Sequence, residues 1–240
     1  MISAKHQDTI YQILSVFETG KTEPAYGSAH VLPDGAGITF GKHQSTDRSG
    51  SLDAILDQYI YEGGDYSSQI EPFIDWLAAN GTAAEDPNNL SPRCDSLIAV
   101  LKMTGDDPVM RDAQDSVFAK RYWQPAMGHF TAMQLTLPLS MLVCYDTQIH
   151  SGDGSLGING IRRKFPEGPP SSGGDEHQWV GAYLEARREA LDTYTSSNAA
   201  KQKVVRGTVY RIDAMIAIVK EGNWHLDTPL HIARPRATVS

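Results

Sequence analysis

Two carboxylates near the start of the chain have surroundings that could separate their affinities for protons. Glu18 follows Phe17 at the end of a helical pattern, and an apolar neighbour and the negative end of a helix both disfavour an ionised carboxylate. Asp34 lies in a Pro-Asp-Gly turn, where free backbone donors favour the ionised form. A proton-donating acid and a water-activating carboxylate are what glycoside hydrolysis needs. The chain has 29 acidic residues, so the pair alone equally fits a solvated helix end and a turn aspartate.

The elements that must position this pair are a helix and a short hairpin. Apolar residues at helical spacing, with Ser3 as the N-cap, predict a first helix from about Ser3 to Glu18, and Gly20 is suited to end it. In residues 29–41, β-forming side chains flank the Pro-Asp-Gly turn and predict a small hairpin. Asp34 and Thr39 would then flank a glycine-rich turn.

The remaining chain is mainly helical in pattern, and we interpret residues 1–240 as one domain. The run 137–149 is apolar on most sides, which predicts a buried central helix. The Gly/Pro/Ser segments 151–156 and 166–174 are predicted loops suited to the rim of a cleft. The other predicted helices cover about 52–60, 70–77, 94–103, 108–123, 175–194 and 199–221.

Composition narrows the functional classes. The formal net charge of −8 disfavours nucleic acid and anionic membranes as partners and is compatible with a cationic ligand. We find no apolar run long enough to span a membrane, no phosphate-binding loop and no Ser or Cys nucleophile motif. The spacing of His30 and His43 does not predict a metal site, so neither metal nor cofactor is expected. Cys94 and Cys144 are predicted to be buried thiols.

An ordered set of motifs resembles glycoside hydrolase family 46, the chitosanases. Glu18 followed by Asp34-Gly35-Ala36-Gly37-Ile38-Thr39 is similar to the catalytic region of that family. The resemblance continues in family order through Tyr145-Asp146, His150, Gly160-Ile161-Arg162, Gly173-Gly174-Asp175-Glu176, Leu184-Glu185-Ala186-Arg187, Arg211-Ile212-Asp213 and Leu226-Asp227-Thr228-Pro229-Leu230. It implies a mainly α (α+β), two-lobed, lysozyme-like fold with a cleft between the lobes.

The resemblance also implies roles for individual residues. Glu18 corresponds to the acid that protonates the glycosidic oxygen, Asp34 to the base that activates water, and Thr39 to a hydroxyl that helps to hold that water. The implied mechanism is inverting, and the carboxyl groups of inverting enzymes stand ~6.5–9.5 Å apart so that a water fits between them.

The resemblance also implies residues that support the active site from behind and residues that contact the substrate. Asp146, Arg187 and Arg211 resemble a buried Arg–Asp–Arg network; an unpaired Asp146 in so apolar a helix would be costly. The candidates for contacts with sugars are His150, Asp175, Glu176 and Ser51. Ser51 occupies the place where the family tends to carry an acidic residue that grips a glucosamine amine, and this departure puts the substrate in doubt.

Three functional hypotheses follow. The first is an endo-acting chitosanase that cuts β-1,4 linkages. The second is a peptidoglycan hydrolase of the muramidase type with the same catalytic pair, because Gly41-Lys42-His43-Gln44-Ser45-Thr46 resembles a branch found in peptidoglycan-degrading modules. The third is an inactive carbohydrate-binding module. We expect a secreted monomer, exported either by a signal absent from this sequence or by another route.

Overall fold

The computed structural model describes residues 2–32, 35–233 and 237–239. Its first helix, α1 (Ala4–Thr19), begins and ends within one residue of the predicted bounds. The Ser3 side chain accepts a hydrogen bond from the backbone N–H of His6, and the His6 ring in turn accepts one from the N–H of Ser3. Gly20 ends the helix in the left-handed region, at φ 75°.

The chain divides into two compact units, one formed by 1–22 with 121–240 and the other by 23–120. In the second unit, three short strands form an antiparallel sheet in the order β1-β2-β3. The pairing of β1 with β2 confirms the predicted hairpin, whereas β3 was not predicted. The elements are β1 (Ala29–Val31), β2 (Ile38–Phe40), β3 (Ser45–Thr46), α2 (Ser51–Tyr61), α3 (Ser67–Ile70), α4 (Ile74–Ala78), α5 (Pro92–Met103) and α6 (Pro108–Phe118).

A helical core dominates the first unit, to which α1 also belongs. Every residue of α8 from Pro138 to Gln148 is buried, which confirms the predicted buried helix. It packs against α1, α7, α9 and α10. The elements that follow α1 in this unit are α7 (Gln124–Ala132), α8 (Pro138–Ser151), α9 (Ile158–Ile161), α10 (Glu176–Asp192), α11 (Ala199–Gly207), α12 (Val209–Lys220), β4 (Leu230–Ile232) and β5 (Ala237–Val239).

Some predicted helices have different bounds. The single helix predicted over 199–221 is two helices, because the helix is interrupted at Thr208, which has φ −91° and ψ −1°. The helix predicted over 108–123 ends at Phe118 and continues as a π-helical turn over Ala119–Trp123. Neither α7, nor α9, nor the pairing of β4 with β5 was predicted from the sequence.

The observed fold is mainly helical with a small antiparallel sheet, which confirms the predicted mainly α (α+β) class. Among the residues described, no helix combines the length and the apolar character needed to cross a membrane. Cys94 and Cys144 are buried and not joined in a disulfide.

Candidate active site

Glu18 lies in the last turn of α1, and its side chain is 19% exposed. Arg211 on α12 donates from Nη1 to Glu18 Oε1 at 2.9 Å. The sequence around Glu18 predicts its place beside Phe17 at a helix end but does not predict this cation. The two side chains form an ion pair between α12 and the end of α1. The other oxygen, Oε2, has no hydrogen-bond partner among the described residues.

The carboxylate of Asp146 joins two arginines. Arg187 donates from Nη1 to Oδ2 at 2.6 Å, and Arg211 donates from Nε to Oδ1 at 2.8 Å. Asp146 and Arg187 are fully buried, and the Arg211 side chain is 6% exposed. Burial raises the pKa of Asp146, but Arg211 and Arg187 outweigh it and lower the pKa to about 2. The structure therefore brings these three residues together with a charged Asp146, and Arg211 links them to Glu18.

Helical spacing explains why both arginines point inward. On α10, Arg187 lies four positions after Tyr183 and three after Leu184, both buried, so it continues their face. On α12, Arg211 shares the buried face of Met215 and Ile218. A charged residue at an apolar position of an amphipathic helix is a sequence signal for a buried ion pair.

His150 lies one turn after Asp146 on α8, near the same charges. Burial and the Arg187 guanidinium lower its pKa to about 4, so the ring is neutral at pH 7. Nδ1 lies 2.9 Å from Ser151 Oγ. A neutral imidazole at this position can donate a hydrogen bond to a hydroxyl group or accept one from it, but it has no charge with which to attract or repel a cation.

Thr39 is the central residue of β2, paired with His30 of β1 and Thr46 of β3. Its side chain is buried, and its Oγ1 has no hydrogen-bond partner among the residues described. A buried hydroxyl of this kind is expected to have a partner, either ordered water or a ligand. The predicted base, Asp34, lies outside the described residues.

The glycine-rich turn before Thr39 is held against Thr82. Gly37 has φ +77°, and a Cβ there would lie 2.3 Å from Thr82 Oγ1. That hydroxyl accepts a hydrogen bond from the N–H of Ile38 at 2.9 Å and donates to Asp47, which also accepts the Thr82 N–H at 3.0 Å. A side chain at position 37 would collide with Thr82, so the turn requires glycine there, and the buried Asp47 supports the turn through its hydrogen bonds with Thr82.

Ser51 is not placed to contact a sugar. It is the first residue of α2 and is buried, and its hydroxyl accepts the N–H of Thr46 at 3.1 Å and lies 2.7 Å from Ser49 Oγ. These bonds tie α2 to β3. The assignment of Ser51 to substrate binding is therefore corrected to a structural role.

Glu176 is also corrected. Its carboxylate accepts hydrogen bonds from the N–H and hydroxyl of Thr136, the N–H of Leu137 and the hydroxyl of Ser140, at 2.6–3.0 Å. These donors belong to the N-terminal end of α8 and the residues just before it, so Glu176 supplies the anion that stabilises this helix end. Both oxygens are satisfied within the protein. Asp175, in contrast, is exposed and caps α10 by accepting the N–H of Gln178.

A mainly helical fold that presents a helix-end glutamate is typical of lysozyme-like glycoside hydrolases. The model of glycosyl hydrolase family 46 matches residues 12–230, and the chain belongs to this family. It is therefore a glycoside hydrolase.

Individual relatives agree with this assignment. A chitosanase of Bacillus subtilis (strain 168) is 30% identical over 227 residues, which cover 92% of this chain and 79% of the relative. Among solved structures, a mutant chitosanase from Bacillus subtilis MY002 complexed with 6 GlcN has a TM-score of 0.84 at 26% identity, with all of both chains covered. A family 46 chitosanase from Gynuella sunshinyii, in complex with chitotetraose, has a TM-score of 0.83 at 26% identity, covering 100% of this chain and 99% of the other.

Proposed function

We propose that this protein is an endo-acting, inverting chitosanase in which Glu18 is the general acid, Asp34 the general base and Thr39 a ligand of the attacking water. The observation that carries the proposal is the position of Glu18. It is a largely shielded carboxyl at a helix end, with Oε1 fixed by Arg211 and Oε2 unoccupied by the described residues. A general acid needs one oxygen available to hold the proton that it transfers.

Each proposed role follows from the chemistry of the group. Glu18 donates its proton to the glycosidic oxygen, and Arg211 stabilises the carboxylate that this transfer leaves behind. Asp34 takes a proton from water as the water attacks the anomeric carbon. Thr39 supports the proposal because its buried hydroxyl has no partner among the described residues and can fix the orientation of that water.

Chitosan is the proposed substrate because the relatives are chitosanases and two of them are complexed with glucosamine oligomers or chitotetraose. The net charge of −8 favours a polycationic substrate. These comparisons do not favour the peptidoglycan hydrolase or the inactive binding module. We further propose that His150 and Asp175 contact the sugar chain, and that the protein acts outside the cell as a monomer.

A comparison of two polymers tests this function. We expect the purified protein to release reducing ends from highly deacetylated chitosan and to leave peptidoglycan largely intact. The rate on chitosan should fall as salt increases, because screening weakens the attraction between an acidic protein and a polycation. A matched chitosan of high acetylation, which carries less charge, is the control. Faster release from peptidoglycan than from chitosan would contradict the substrate and favour the muramidase.

A further inference from the structure

Two consecutive residues of α12 hold two consecutive residues of α1. Arg211 binds the carboxylate of Glu18, and Tyr210 donates from its hydroxyl to the backbone carbonyl of Phe17 at 2.5 Å. The Tyr210 and Phe17 rings meet edge to face, with their centroids 6.3 Å apart. The Arg211 guanidinium lies 5.3 Å from the Phe17 ring centroid. The C-terminal end of α1 is therefore held by hydrogen bonds and ring contacts from α12.

The Tyr210 hydrogen bond replaces one that the helix itself cannot make. The carbonyl of Phe17 is among the last four of α1, and its regular partner would be the N–H of Lys21. That N–H bonds instead to the Thr19 hydroxyl at 3.2 Å, because the chain turns at Gly20. Among the described residues, Tyr210 is the recorded partner of the Phe17 carbonyl.

This carbonyl belongs to the peptide unit that carries the Glu18 nitrogen. Because the peptide is planar, a hydrogen bond that fixes its carbonyl oxygen also fixes the orientation of the Glu18 nitrogen and of its bond to the Glu18 Cα. Burial raises the pKa of Tyr210, so its hydroxyl stays protonated and remains a donor at neutral pH.

We propose that Tyr210 is a positioning residue for the general acid: its hydrogen bond to Phe17 orients the peptide that presents the Glu18 carboxyl. This inference rests on the proposed function of Glu18. Tyr210 contacts the backbone and ring of Phe17 rather than the reacting groups, so its effect is on the geometry of proton transfer. Small misplacements of a catalytic group lower the rate strongly, by up to about 10²-fold for ~1 Å.

The substitution Tyr210→Phe tests the inference, since it removes one hydroxyl and keeps the ring. We expect kcat on chitosan to fall about 10-fold with KM unchanged, because the substrate contacts are intact. The matched control is Tyr183→Phe, which removes a buried hydroxyl that donates to Thr147 in the same unit. It should keep wild-type kcat even if its melting temperature falls by a similar amount.

A substrate whose leaving group needs no protonation distinguishes a defect in the positioning of the acid from damage to the fold. On a 2,4-dinitrophenyl glycoside of a glucosamine oligomer, whose leaving group departs unprotonated, Tyr210→Phe should be nearly as fast as the wild type. Equal losses on both substrates, or no loss on chitosan, would overturn the inference. Glu18→Gln is measured alongside. If it keeps its turnover of chitosan, the acid assignment itself fails, an outcome distinct from a failure of Tyr210 alone.

Discussion

Glu18→Gln should lower kcat on chitosan by roughly 10²–10⁴-fold, the contribution that general acid catalysis makes. Glutamine has the same shape as glutamate and its carbonyl oxygen can still accept the Arg211 hydrogen bond, but it has no acidic proton for the glycosidic oxygen. The melting temperature should therefore change little, and oligosaccharide binding should persist. Initial rates of reducing-end release, together with thermal melting, measure both quantities.

The matched control for this loss is Glu189→Gln, the same change at an exposed glutamate of α10 in the same unit. It should retain wild-type turnover, which excludes a general effect of removing one negative charge. Near-normal turnover in Glu18→Gln would show that another residue supplies the proton.

Arg187→Leu should destabilise the protein by about 3–5 kcal/mol, the cost of breaking a buried ion pair by removing one partner. Asp146 Oδ2 would lose its donor at 2.6 Å inside a fully buried environment, and Arg211 would be left to balance Asp146 and Glu18 together. Equilibrium unfolding in denaturant at pH 7 gives the free energy of unfolding directly.

The next residue along the chain provides the control. Arg188 forms an exposed ion pair with Asp213, and Arg188→Leu should leave the free energy of unfolding close to that of the wild type. The double variant Asp146→Asn with Arg187→Leu should recover part of the lost free energy of unfolding, because asparagine has no charge that would remain buried without a partner. An unchanged stability in Arg187→Leu would show that the pair contributes nothing to folding.

Local signals in the sequence were sufficient for α1 and α8. The cap at Ser3, the apolar stripe and Gly20 define α1 through interactions between near neighbours. The run from Pro138 to Gln148 is apolar on most sides, so only burial satisfies it. The hairpin also follows from local turn chemistry, because Pro and Gly between β-forming segments favour a reversal.

The contacts that link distant segments could not be derived from the sequence in the same way. The ion pair between Glu18 and Arg211 joins residues 193 positions apart, and nothing in either local pattern specifies it. The break between α11 and α12 at Thr208 was also missed, since the helical pattern continues on both sides. Tertiary packing decides where such a pattern divides.

Glu176 shows why one predicted sugar contact was misjudged. It follows a glycine-rich segment, where a carboxylate usually faces solvent. In the structure, it instead accepts hydrogen bonds from backbone and hydroxyl donors around the start of α8. Those donors lie 36–40 positions away in the sequence, so the saturation of this carboxylate is visible only in three dimensions.

The central claim, that water attacks from the face opposite the leaving group, is tested most directly by proton NMR of a fresh digest. A glucosamine hexamer with β-1,4 linkages is mixed with the wild-type protein, and the anomeric signals of the new reducing ends are followed before mutarotation equilibrates them. An inverting enzyme with Asp34 as base gives the α-anomer first. Initial formation of the β-anomer would contradict the account, because it requires a carboxylate nucleophile in place of an activated water.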